Sequence, residues 1–165
     1  MRVEFINPFV KATVQVFRSR LACELVRRQL LRKTGRQPHQ EVSGIVELSG
    51  QAHGAVVFGL SRPLAMHVTQ VLRQASVETL NEQVQGAVVE LVQLVAAAAR
   101  EELAQLELQV GPPRVIIGRH HTLPLASDGD SLDIVFESPW GIIVVEVGLS
   151  ASEHASQTAG AASAS

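Results

Sequence analysis

The stretch from Val42 to Ser61 constrains the fold more than any other part of the chain. It holds two short β-branched runs, VSGIVELSG (42–50) and HGAVVFGLS (53–61), punctuated by glycine and separated by a tight connection. Runs of this kind pair as an antiparallel hairpin. Val42, Gly44, Val46 and Leu48 fall on one face of the first run, because side chains alternate along a strand. Gly44 and Gly54, inside strand patterns, mark bulges or close packing against a helix.

Helical signals flank the hairpin. Asn7-Pro8 reads as a helix start, with Asn as the cap and Pro pre-shaped for the first turn. Phe9, Ala12 or Thr13, Val16, Phe17 and Leu21 then recur at helical spacing. Residues 24–33 fit neither period cleanly and are assigned to a strand by their place ahead of the hairpin. Residues 34–40, with Gly35 and Pro38, read as a loop. After the hairpin, Ser61-Arg62-Pro63 opens a second helix. Thr79 with Glu82 three residues on has the spacing of a capping box, predicting a long helix from about Leu80 to Leu106. Val84, Val88, Leu91, Val95 and Ala98 form its apolar stripe.

Gly111-Pro112-Pro113 breaks the chain, and RVIIGRHH (114–121) reads as a strand. Residues 126–131 form a turn-rich loop. SLDIVFE and GIIVVEVGL make a second hairpin across Ser138-Pro139-Trp140-Gly141. The order is helix, three strands, two helices, three strands. Hairpin-linked strands imply an α+β domain: a largely antiparallel six-stranded sheet with helices packed on it. The domain is expected over residues 1–149. Residues 150–165 turn to Ala, Ser, Gly and Thr, lack bulky side chains to bury, and read as a disordered tail.

Composition excludes several functions. The net charge of −2 gives no case for nucleic acid or an acidic membrane surface. The local cluster Arg27, Arg28, Arg32, Lys33 and Arg36 reads as a solvated face or guarded sheet edge. Five Phe, one Trp and no Tyr offer no aromatic platform for single strands. The longest apolar run, Leu91 to Ala99, is interrupted by Gln93 and falls short of the ~20 residues of a membrane span. No signal peptide is visible, and the single cysteine, Cys23, reads as a small core residue, so a reducing, cytoplasmic setting is expected. The histidines are scattered apart from His120-His121, neighbours that a strand would point to opposite faces. His121 reads as a loop residue, and no metal-binding, Walker or nucleophile-elbow motif is present.

The chemistry-bearing residues stand on the long helix. At 100° per residue, Glu90 and Gln93 lie about 60° apart, opposite the apolar stripe. Gly86 and Ala97 share their sector, and Val89 and Ala96 flank it. Two polar groups on a ridge of small side chains can approach another protein closely. Glu and Gln are also strong helix formers on any exposed face, so the wheel alone favours an ordinary solvated surface. Glu4 and Asn7 repeat a Glu-x-x-Asn spacing, but they do not share a helical face and carry no chemistry.

INPFVKATVQVF, VSGIVELSG, AHGAVVFGLS, the ELVQLVAAAA helix and PPRVIIGRHH resemble, in kind and in order, the CheX branch of the CheC/CheX chemotaxis phosphatases. In that family this helix carries a Glu-x-x-Asn pair; here it reads Glu90-Leu91-Val92-Gln93. The resemblance implies that Glu90 pairs with the active-site lysine of a phosphorylated CheY-like response regulator. It implies that position 93 orients the water attacking the aspartyl phosphate, with Gly86, Val89 and Ala97 at the contact. It also implies no cofactor of the chain's own, Mg2+ supplied by the partner receiver, and a homodimer joined through sheet edges. Gln93 offers the family's amide one methylene further out. The alternative is a receiver-binding module without catalysis.

Overall fold

The computed structural model describes residues 3–34, 38–118 and 130–151. The elements run α1 (Asn7–Leu21), β1 (Val26–Thr34), β2 (Val42–Gly50), β3 (Ala52–Leu60), α2 (Arg62–Arg73), α3 (Glu82–Gln105), β4 (Leu108–Val110), β5 (Arg114–Ile117), β6 (Asp130–Ser138) and β7 (Gly141–Ala151). A 3-10 turn, Val3–Phe5, precedes α1. Every strand pair is antiparallel, in the order β1-β6-β7-β3-β2, with β4 and β5 both on β2. The two hairpins are β2–β3 and β6–β7, and β3 pairs with β7 along nine residue pairs to join them.

The sheet has seven strands where the sequence reading has six. The added strand is β4, which pairs Leu108–Val110 with Leu48–Gly50, while β5 pairs Arg114–Ile117 with Val42–Ile45. Gly111-Pro112-Pro113 divides one edge into two short pieces, because proline cannot donate to a ladder and is tolerated at edges. β6 takes in Asp130 and Ser131, which the sequence reading places in a loop. β7 runs on to Ser150 and Ala151, opposite His53 and Ala52. Residues 126–129, His120-His121, Gly35, Arg36, His154 and everything beyond Ala151 lie outside the described residues.

The main core lies between helices and sheet. Phe9, Phe17, Phe58, Phe136, Leu64, Leu91 and Ile143 are fully buried there. α3 packs between α1 and α2 and rests on β2, β4 and β5. Gly44 permits this approach: a Cβ there would stand 2.7 Å from Val92 and 3.1 Å from Val88. The opposite face buries a smaller cluster of Ile45, Ala55 and Val57. Residues 38–41, ahead of β2, lie against this face. Gln40 rests on Gly59, and the His39 ring reaches Asp133 at 2.5 Å.

Two helix starts differ from expectation. α1 is capped at Ile6, not Asn7: Ile6 is already helical, with φ −91° and ψ −41°, and its carbonyl accepts from Phe9 and Val10. The 3-10 turn feeds straight into the helix, so no side-chain cap forms and Asn7 is its first residue. α3 starts at Glu82 with Asn81 as cap, not Thr79. The Asn81 side chain accepts from the backbone N–H of Gln83 at 3.0 Å and of Val84 at 3.4 Å.

Candidate functional site

Burial along α3 follows the helical period. Val84, Ala87, Val88, Leu91, Val92, Val95, Ala99 and Leu103 face the core. Ala98, expected in the stripe, is exposed, because the 3.6-residue period carries the buried line to Ala99. The opposite side of α3 forms the ridge. Gln93 and Ala97 are exposed, and Gly86, Val89, Glu90 and Ala96 are half-buried. The ridge thus places Glu90 and Gln93 together, framed by small side chains.

Gln93 borders a groove of about 410 Å³ between α3 and the β4–β5 edge. Ala96, Ala97, Leu103, Leu108, Val110 and Pro113 line it, with Arg100 beside them. The short side chains of α3 leave this space open, and the amide of Gln93 stands at its margin.

Glu90 has a partner that sequence reasoning missed. Arg73, the last residue of α2, places Nε 3.6 Å from Glu90 Oε2, with both side chains about 40% exposed. Its guanidinium lies over Gly86, where a Cβ would meet Nη2 at 2.4 Å. A glycine one turn ahead of Glu90, in a helix otherwise rich in good helix formers, was the only signal of this crossing.

Elsewhere, His39, Asp133 and Glu146 present donor atoms within 4.8 Å of one another. Asp133 and Glu146 are fully buried cross-strand neighbours. Both oxygens of Asp133 are engaged, one by His39 and one by the Ser131 hydroxyl at 2.6 Å. The His39–Asp133 contact fastens the segment just ahead of β2 to the sheet, on the face away from α3. His67 of α2 stacks on Trp140 at 3.9 Å, and burial pushes its pKa below the usual histidine value. Cys23 is buried, and burial pushes its thiol up, fitting the core role read from sequence. Among the described residues no helix is long and apolar enough to cross a membrane.

A long central helix laid with two others on an open antiparallel sheet is the architecture of the CheC/CheX-like class of protein. Residues 42–137 match the family model of the chemotaxis phosphatase CheX, and the chain belongs to that family. No curated protein matches the chain. Among solved structures it is similar to a CheC-like superfamily protein from Shewanella sp. PV-4, at 26% identity and TM-score 0.79, covering 91% of this chain and 99% of that one. It is similar to CheX from Vibrio vulnificus at 26% identity and TM-score 0.77, covering 89% and 99%. CheX of Borrelia burgdorferi, solved in complex with CheY, BeF3 and Mg2+, shares the fold at 22% identity and TM-score 0.72, covering 90% and 99%.

Proposed function

We propose that the chain docks through the α3 ridge on the phosphorylated receiver domain of a CheY-like response regulator and promotes hydrolysis of its aspartyl phosphate. The observation that carries this reading is the pairing of Glu90 and Gln93 on the free face of α3, with Gly86, Val89 and Ala97 giving close approach. The Borrelia burgdorferi relative, solved with CheY, supports the choice of partner.

The chemistry asks little of the helper. An acyl phosphate is already activated, and the receiver contributes the Mg2+. Glu90 pairs with a receiver lysine and fixes the docking register. Gln93 accepts a hydrogen bond from the attacking water through its carbonyl and holds that water in line with the phosphorus. A carboxylate at that position would oppose the phosphoryl charge, whereas a neutral amide does not. Glutamine orients attacking water in other phosphoryl-hydrolysis sites.

The test is the decay of radiolabelled receiver phosphoaspartate with and without the chain. The unaltered chain should accelerate decay. Gln93→Ala should lower the rate constant at saturation on the order of 10²-fold, the loss for one transition-state contact. Glu90→Ala should weaken docking. Binding that depends on Glu90 without any acceleration would replace this reading with that of a receiver-binding module.

For self-association we propose a homodimer along β1, the edge strand next to β6. Val26, Leu30 and Leu31 are exposed there, Leu30 and Leu31 on opposite faces of the strand, and a second copy's edge would cover part of both faces.

A further inference from the structure

Gly86 is an expensive residue for the second turn of a well-formed helix, since glycine lacks the helix propensity of alanine. It lies half-buried beneath the Arg73 guanidinium, which crosses from the end of α2 to reach Glu90. We infer that Arg73 is a positioning residue for receiver docking, held in a notch that Gly86 provides, where it orients Glu90 and adds positive charge beside it. This inference rests on the docking reading proposed above and names a further determinant of the same site.

The direction of the effect follows from charge and from hydrogen-bonding capacity. Nε of Arg73 faces one carboxylate oxygen, Oε2, at 3.6 Å. A carboxylate has about four acceptor positions on its two oxygens, so Glu90 can receive a lysine ammonium without releasing Arg73. In the complex the lysine ammonium already offsets Glu90, so Arg73 leaves a net positive charge beside the anionic phosphoryl group. The remaining guanidinium donors lie over Gly86, on the surface the receiver must meet. Arg73 therefore favours the bound complex and leaves the water held by Gln93 untouched.

The notch makes the inference testable without unfolding the protein. In Gly86→Ala the new Cβ meets only the flexible end of Arg73, so the helix tolerates it and the guanidinium is displaced. Arg73→Ala and Gly86→Ala should each raise the KM for phosphorylated receiver about three- to fivefold, the range of an exposed ion pair, with kcat unchanged in Arg73→Ala. Because both changes act on one contact, the double variant should be no worse than either single one. Arg73→Lys should recover part of the loss through its charge. Gly86→Ala should also raise Tm while weakening docking, and the absence of further loss in the double variant separates displacement of Arg73 from a direct clash of the new methyl with the receiver. An unchanged KM in Arg73→Ala, with acceleration intact and lost in Glu90→Ala, would overturn the inference alone. Multiplying effects in the double variant would do the same. No acceleration by the unaltered chain would overturn the docking reading and the role of Arg73 with it.

Discussion

In the proposed function the chemistry turns on how far the side chain of Gln93 reaches. The α3 backbone fixes the Cα of residue 93, and in the proposed docking Glu90 would set how the ridge meets the receiver. An amide one methylene longer then holds water about 1 Å further out than asparagine would, and misplacement of that size costs on the order of 10²-fold in rate. If the groove beside Gln93 is shaped for the longer side chain, Gln93→Asn should lower the saturating rate of phosphoaspartate decay at least about tenfold while leaving KM in place. Faster decay in Gln93→Asn would mark the native site as one that has lost its reach. The pairing of Glu90 with Gln93 was legible in the sequence because helical phase alone fixes it. Arg73 was not, because its position depends on how α2 ends and packs on α3, which local periodicity does not encode.

At the scale of elements, helices and hairpins were readable because their signals are local: glycine-punctuated β-branched runs, Pro in first turns, apolar residues at helical spacing. Boundaries were less so. Thr79 and Asn81 both have capping side chains and lie two residues apart, and the capping-box spacing favoured the wrong one. Asn81 caps more strongly, and its side chain takes two of the free N–H groups at the start of α3. Asn81→Ala should therefore cost about 1 kcal/mol of stability. For a domain of this size that is a fall of roughly 3 °C in the thermal midpoint. Thr79→Ala should leave the midpoint unchanged. Equal shifts in the two variants, measured by circular dichroism, would return the cap to Thr79. Since α3 carries the ridge, its first turn sets the rotational phase of Glu90 and Gln93, and fraying there is felt at the site.

For the whole molecule, what the sequence lacked was the order of strands across the sheet. The pairings of β1 with β6 and of β3 with β7 join segments distant in the chain, and no local pattern in either partner names the other. That order determines which edge is free. Next to β2 the edge is broken into β4 and β5 around two prolines, a poor template for a second copy. At the other end β1 presents nine residues and, among the described residues, is bonded to β6 on one side only. It is the longer edge and carries exposed Val26, Leu30 and Leu31, with Leu30 the most open at 53%. Arg27 and Arg32 lie along the same strand and Arg28 is drawn to Glu137 on β6, so the seam is both apolar and basic. A lysine at position 30 would add like charge to that seam and remove its most exposed apolar side chain, while substitution at so open a position should change stability by less than about 0.5 kcal/mol. Sedimentation velocity should accordingly show a dimer for the unaltered chain and a monomer for Leu30→Lys, with phosphoaspartate decay per chain the same in both, because α3 lies on a face of the sheet and β1 at its edge. A unaltered chain that stays monomeric at every concentration would remove the dimer, and a Leu30→Lys variant that stays dimeric would move the interface away from β1.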